Sequence, residues 1–313
     1  MGSALEYRLS AAGRVIELGA RPCLMGVVNA SPDSFSDGGR YRTLADRLGL
    51  ATELLEAGAD VIDVGGESAS TNRPPVDQGE EMARVVPLIE RLVGDFGVVV
   101  SIDTYKPAVA RAAVAAGAAI VNDVSGLRDP ALARVCAESG AALVVMHTSA
   151  APKQRLQDPD LYGDVVEEVL GFLSERIALA RQEGVAREQL IVDPGPDFAK
   201  TPAQTVELLA NVSRLHELGC PLLMAISRKD FIGALTGRPP RERLPGTLAA
   251  LAHGVDQGAH IFRVHDIAAA SDYLAVRAAL SGELAPSRDL ALAEQLRHDG
   301  PLTEAKPVAD AKL

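Results

Sequence analysis

Short apolar runs alternate with longer amphipathic stretches along most of the chain. Eight runs are continuous and rich in Val, Ile, Leu and Ala. They span 23–28, 61–64, 98–102, 119–121, 143–146, 190–192, 222–226 and 261–264. Runs without polar alternation suit strands that are covered on both faces, as in a parallel sheet. The stretches between them, at 43–57, 78–93, 107–116, 130–139, 161–183, 202–218, 244–257 and 266–280, carry helical periodicity. Gly58, Gly117, Gly140, Gly184 and Gly219 follow five of them, and Pro107, Pro130 and Pro202 open three. Glycine just past a helix and proline at its first turn are the expected stop and start. Eight βα units in succession predict an α/β protein, a (β/α)8 TIM barrel. The count, and the absence of G-x-G-x-x-G, disfavour a doubly wound open sheet.

Upstream, 7–9 and 15–18 flank Ala11-Ala12-Gly13, which predicts a β-hairpin covering the barrel bottom. We therefore expect one barrel domain over 1–282, hairpin included, and a charged tail over 283–313 that is partly helical and then frayed. A chain of 313 residues is long enough to bury a large core without staples.

Composition then narrows the function. The formal charge is −11, from 31 Lys+Arg against 42 Asp+Glu. A nucleic-acid partner or an anionic membrane surface needs the opposite balance. With five Tyr, six Phe and no Trp, a base-stacking platform is not expected either. Cys23, Cys136 and Cys220 are odd in number and widely spaced, which argues against disulfides or a zinc knuckle. No signal-like segment or long apolar span is present, so a cytoplasmic location is expected.

In a barrel, chemistry gathers where the strands end. The runs end on Asn29, Asp63, Asp103, Asn122, Met146-His147, Asp193, Ser227-Arg228-Lys229 and Arg263-Val264-His265. Any one of these could simply cap a helix; so many at one mouth are hard to explain that way. Asp103, Asn122, Asp193 and Lys229 mix donors and acceptors able to read a flat heterocycle. Arg263 and His265 lie two apart, a spacing suited to a phosphate or diphosphate oxygen. Asn29 opens a long polar loop, and its amide oxygen suits Mg2+ shared with a diphosphate.

These residues sit within longer motifs: Met25-Gly26-Val27-Val28-Asn29, Pro32-Asp33-Ser34-Phe35-Ser36-Asp37-Gly38-Gly39, Asp63-Val64-Gly65-Gly66-Glu67-Ser68, Ile102-Asp103-Thr104, Val121-Asn122-Asp123, Asp193-Pro194-Gly195, Ser227-Arg228-Lys229 and Arg263-Val264-His265-Asp266. Over about 23–280 the chain resembles the dihydropteroate synthase family. The resemblance implies a transferase of folate biosynthesis. It would condense 6-hydroxymethyl-7,8-dihydropterin diphosphate with p-aminobenzoate, giving 7,8-dihydropteroate and pyrophosphate. It implies that Asp63, Asp103, Asn122, Met146, Asp193 and Lys229 hold the pterin. Asn29, Arg263 and His265 would hold the diphosphate, with Mg2+ at Asn29. Asp103, Lys229, Arg263 and His265 would be catalytic, and the chain would form a homodimer. The p-aminobenzoate side would fall to Phe35, Arg73, Phe198 and Ser227.

Departures from the family cluster on that last side. After Ser68 the chain reads Ala69-Ser70-Thr71-Asn72-Arg73-Pro74-Pro75 where the family has Thr-Arg-Pro-Gly, so Arg73 stands three places late. After Gly195, Asp197 and Ala199 replace two glycines. If those glycines serve positive φ or close approach, both changes alter the loop shape, and a carboxylate at 197 would oppose an anionic co-substrate. The residue after His147 is Thr148 where the family often has Met. The alternative reading is a divergent pterin-binding paralogue that lacks this condensation or uses another amine. A pterin-dependent methyltransferase barrel fits less well, because Ser227-Arg228-Lys229 and Arg263-Val264-His265 point to diphosphate chemistry.

Overall fold

Each short apolar run becomes a strand, and each strand is paired in parallel. In the computed structural model, which describes residues 5–31, 43–68, 71, 73–293 and 296–297, the chain opens with an antiparallel hairpin of β1 (Tyr7–Ala11) and β2 (Arg14–Leu18). The barrel strands follow: β3 (Cys23–Asn29), β4 (Val61–Gly65), β5 (Val99–Asp103), β6 (Ile120–Asp123), β7 (Ala142–Met146), β8 (Leu190–Asp193), β9 (Leu223–Met224) and β10 (Ile261–Val264). Their order is β8-β7-β6-β5-β4-β3-β10-β9. The parallel bridge Val192–Leu222 and the bond from the Val192 amide to the Pro221 carbonyl (3.0 Å) join the two ends, so the sheet closes. This is the expected (β/α)8 TIM barrel.

The helices are α1 (Leu44–Glu56), α2 (Gln78–Phe96), α3 (Pro107–Ala115), α4 (Ala131–Ser139), α5 (Val165–Gln182), α6 (Pro202–Ala210), α7 (Asp230–Thr236), α8 (Leu244–Asp256) and α9 (Ile267–Ser281). Their starts are chemically specified. Thr43 and Asp46 form a capping box on α1, Thr201 and Gln204 another on α6, and Asp77 and Asp164 cap α2 and α5. Each cap satisfies amides that have no partner inside the helix.

Three expectations change. The stretch 202–218 is α6 followed by a 3-10 helix, Val212–Leu218, broken at Asn211, whose amide bonds the Leu208 carbonyl three residues back. The stretch 161–183 becomes helical only from Val165, where Asp164 provides the cap. The run 222–226 shortens to two paired residues behind Pro221, which has no amide to donate. In the tail, residues 283–293 form bends, turns and irregular chain, and Leu296 lies in a 3-10 turn.

The hairpin closes the barrel bottom. Leu9, Ala11 and Leu18 are buried in one cluster with Cys23, Val61, Ile120, Ala142, Leu223 and Ile261, which stand at the strand starts. Burial of a leucine side chain contributes about 1.5–3 kcal/mol. Two long-range bonds seat the hairpin: the Ala12 amide to the Gly140 carbonyl (2.7 Å), and His260 Nε2 with the Leu5 carbonyl (2.9 Å).

The chain divides into two compact units, Met1–Tyr273 and Leu274–Leu313. The first holds the hairpin and all eight barrel strands. The second holds the end of α9, with Arg277 paired to Glu283 (3.2 Å) and Leu280 and Leu290 exposed.

Candidate active site

Strand register decides which side chains meet at the mouth. Asp103 is paired with Asn122, Gly65 with Asp103, and Met146 with Asp193. Gly66 lets β4 turn away beneath α2, since a Cβ there would meet Glu81 Cγ at 2.7 Å and Val85 Cγ1 at 2.8 Å. Gly195 stands at φ +65, and a Cβ there would strike the His147 carbonyl oxygen at 2.1 Å.

The floor is a buried charge network. Arg263 Nε donates to Asp63 Oδ2 (2.6 Å) and its Nη2 to Asp103 Oδ2 (2.8 Å). Asn122 Nδ2 lies 3.4 Å from Asp63 Oδ2. Burial raises the Asp103 carboxyl above its usual range, Arg263 opposes that rise, and Asp63 adds to it. Burial works against the Arg263 charge, yet Asp63 and Asp103 hold the guanidinium above its ordinary value. Burial likewise pushes Asp193 up to about 6, even though the Gly195 amide donates to its Oδ1 (2.7 Å) and Lys229 favours its charge. Burial draws the Lys229 ammonium down, with Asp197 and Asp193 pulling the other way. Lys229 Nζ stands 4.4 Å from the Phe198 ring centre, within cation–π range.

Above the floor is a cavity of about 350 Å³. Of the residues given a site role from sequence, Asp103, Phe198 and Lys229 line it, together with Thr148, Asp197, Ala199 and Arg228 from the same motifs and loops. Asp63, Asn122, Met146 and Asp193 are buried at the strand ends beneath. His265 follows β10, with Nδ1 2.9 Å from Ser227 Oγ and its amide donating to the same hydroxyl (3.2 Å). Ser227 thus holds His265. Asn29 ends β3, and its Oδ1 would lie 3.8 Å from a Cβ built on Gly65. Arg73 is half-buried and is not among the described residues that line the cavity. Phe35 lies outside the described residues.

Sequence reading missed two clusters. In the first, Lys106 Nζ donates to Glu67 Oε2 (2.6 Å), Glu81 Oε2 (2.5 Å) and the Val76 carbonyl (2.6 Å). Glu67 also accepts from the Val76 amide (2.8 Å) and the Tyr105 hydroxyl (2.9 Å). These bonds staple the two ends of the β4–α2 loop. Against the upward push of burial, Lys106, Val76 and Tyr105 hold the Glu67 carboxyl below its ordinary value.

The second missed cluster supports Phe198. Lys200 is fully buried and donates to His147 Nδ1 (2.7 Å), the Gly195 carbonyl (3.0 Å) and the Phe198 carbonyl (3.1 Å). Burial lowers the Lys200 ammonium to about 7 and His147 to about 2, so the imidazole accepts as a neutral ring. Within this loop Asp197 and Ala199 both stand at positive φ, +66 and +50. The positions do need the backbone that glycine adopts freely, and two L-residues supply it at a cost of about 1–2 kcal/mol each. Asp197 does not face the cavity as an unsatisfied carboxylate. It accepts from the Asp230 amide (2.5 Å) and the Phe231 amide (3.3 Å) at the start of α7. Nothing local in the sequence marks Lys200 for this role.

No group of three or more His, Cys, Asp and Glu that could hold a metal occurs among the described residues. A single amide oxygen at Asn29 fits an ion carried mainly by diphosphate oxygens and water, as Mg2+ usually is. No helix of the described residues is long and apolar enough to cross a membrane.

Comparisons with known proteins agree with this geometry. The family model for pterin binding enzymes matches residues 25–265. Dihydropteroate synthase of Escherichia coli K12 is 41% identical over 260 residues, covering 83% of this chain and 92% of its own. The Bacillus subtilis dihydropteroate synthase is 42% identical over 245 residues, 78% of this chain and 83% of its own. Among solved structures, Xanthomonas albilineans dihydropteroate synthase with 4-aminobenzoic acid superposes with a TM-score of 0.81 at 44% identity, covering 88% of this chain and 99% of that one. Burkholderia cenocepacia dihydropteroate synthase complexed with 7,8-dihydropteroate gives 0.79 at 38% identity, with 89% and 98% covered.

Proposed function

From the premise that this chain belongs to the pterin-binding enzyme family, among relatives that are dihydropteroate synthases, we propose the chemistry its residues perform. The protein is a dihydropteroate synthase, a transferase of folate biosynthesis. It joins the amine of p-aminobenzoate to the methylene of 6-hydroxymethyl-7,8-dihydropterin diphosphate and releases pyrophosphate. The observation that carries this reading is the closed floor of Asp63, Asp103, Asn122, Asp193, Lys229 and Arg263 at the strand ends.

The pterin ring presents donors and acceptors on its edge. Asp193 and Asn122 meet them as acceptor and mixed donor–acceptor, while Lys229 donates. In the reaction the methylene C–O bond breaks and the amine nitrogen forms the new C–N bond. The electron pair leaves with pyrophosphate, and the nitrogen loses its proton to solvent. Arg263 and the Ser227-held His265 stabilise negative charge on the departing oxygens. Asp103 offsets positive charge growing on the methylene. The aryl amine is already nucleophilic, so alignment carries much of the barrier reduction.

Mg2+ held at Asn29 would add charge neutralisation to the leaving group. The exposed Val276 and Leu280 of α9 support a homodimer. Free, buried Cys23, Cys136 and Cys220 support a reducing, cytoplasmic setting.

The test is to incubate the protein with Mg2+, the pterin diphosphate and p-aminobenzoate, then quantify pyrophosphate and dihydropteroate separately. Equal amounts of both are expected. Pyrophosphate alone would show that the leaving-group chemistry runs without the amine, and neither product would overturn the reading.

A further inference from the structure

The charged residues that line the cavity can be matched one by one with their partners. Glu67 and Glu81 are paired with Lys106, and Lys153 with Glu67 (3.2 Å). Asp103 is paired with Arg263, Arg228 with Asp266 (2.7 Å) and Asp230 with Arg243 (3.0 Å). Asp197 is taken up by the α7 amides. Two lining cations remain with no carboxylate of the described residues in ion-pair range, Lys229 and Arg155. Lys229 belongs to the floor. Arg155 has no such assignment.

Arg155 lies on the loop between β7 and α5 and is exposed. Its Nε and Nη2 rest on one neutral acceptor, Gln157 Oε1 (3.3 and 2.8 Å). Its remaining donors are available for a planar anion, which a guanidinium fork can hold through two bonds. The loop is fixed on both sides. Lys153 ties it to Glu67 and to the Ser68 carbonyl. The Tyr162 hydroxyl donates to the Ala199 carbonyl (2.8 Å), and Gln204 Nε2 donates to the Asp158 and Pro159 carbonyls (3.1 Å each). Arg155 is thus presented from a tethered loop beside the Phe198 loop, which follows the neighbouring strand β8.

Position distinguishes between the two anionic substrates. In the closed sheet β7 stands four strands from β3 in either direction, so Arg155 rises across the mouth from Asn29. Asn29 and His265 define the diphosphate side. An aryl ring against Phe198 would direct a para carboxylate outward toward the wall that carries Arg155. We propose that Arg155 is the specificity-determining residue that pairs with the carboxylate of the amine substrate, a role the displaced Arg73 does not fill from the described cavity wall. This rests on the synthase reading above.

The test compares wild type, Arg155→Gln and Arg155→Lys with 4-aminobenzoate and with its neutral analogue 4-aminobenzamide. Loss of a charge-assisted pair predicts a rise of about tenfold or more in KM for 4-aminobenzoate in Arg155→Gln. Arg155→Lys should recover part of it. KM for 4-aminobenzamide and for the pterin diphosphate should stay within about twofold, a pattern that general loosening of the loop would not produce. An unchanged KM for 4-aminobenzoate, or an equal rise for both amines, overturns the proposal while leaving the synthase reading intact. A wild-type protein that makes no dihydropteroate overturns both.

Discussion

The floor of the mouth and its outer wall handle buried charge with different materials. On the floor, carboxylates and a guanidinium project from strand ends, and neighbouring strands set their spacing: Arg263 reaches Asp63 and Asp103 within 2.8 Å. On the wall, charges are held by loops and the helix starts they lead into. Lys106 clamps Glu67, Glu81 and Val76, while Lys200 props Phe198 from beneath. A strand end is fixed by the whole sheet, so its chemistry tolerates little change. A loop can be rebuilt if its amides and carbonyls find new partners, as Asp197 does at α7. The departures from the family pattern fall on the wall for that reason.

The sharpest way to break the contrast is Arg263→Ala. It leaves Asp63 and Asp103 facing each other without a cation and removes charge from the leaving-group side. We expect kcat/KM to fall by about a thousandfold. Steady-state kinetics with a thermal melt alongside would check this, and a loss under about tenfold would remove Arg263 from the reaction. Next is Lys106→Met on the wall. Glu67 and Glu81 have only 6% and 1% of their side chains exposed. Removing the ammonium leaves Glu81 without its cation and Glu67 with Lys153 alone, which should cost about 3 kcal/mol, read by denaturant titration. A cost below about 1 kcal/mol would mean that water replaces the ammonium without difficulty.

A pH series sharpens the floor's side of the comparison. If Asp193 meets the pterin edge as proposed, its ionised carboxylate is the stronger acceptor, and burial pushes its pKa up to about 6. Pterin affinity, followed by calorimetry, should therefore be full above that value and weaken as pH falls through it, by about tenfold per unit at the limit. Affinity that stays flat on acidification would exclude Asp193 as the acceptor. The smallest effect is Ala199→Gly. Relief of a left-handed alanine, less the extra entropy of an unfolded glycine, should stabilise the protein by about 0.5 kcal/mol. A destabilisation of that size would show that the alanine methyl packs usefully where it is buried.

The floor was legible because its residues close short apolar runs. Asp63, Asp103, Asn122, Asp193 and Arg263 needed only the strand assignment and the rule that barrel sites lie at strand ends. The wall was not legible, because its contacts join residues far apart in sequence. Nothing local marks Lys106 as the partner of Glu67, 39 positions away, or Lys200 as the prop of its own loop through His147. Seven-residue α7 is too short to show a helical period, yet it converts Asp197 from an expected repulsive charge into a cap.

The hairpin at the barrel bottom has a consequence for synthesis of the chain. Tyr7–Leu18 leaves the ribosome before every barrel strand, but the apolar seat for Leu9 and Leu18 includes Leu223 and Ile261. Its bond from His260 to Leu5 spans 255 positions. The hairpin must therefore wait, with its leucines uncovered, until β10 is available. Ring closure and plugging become one late event with a high loop-closure cost. A nascent chain stalled before β10 would present an open sheet edge and an unplugged base together, the combination that chaperones bind and that aggregation exploits.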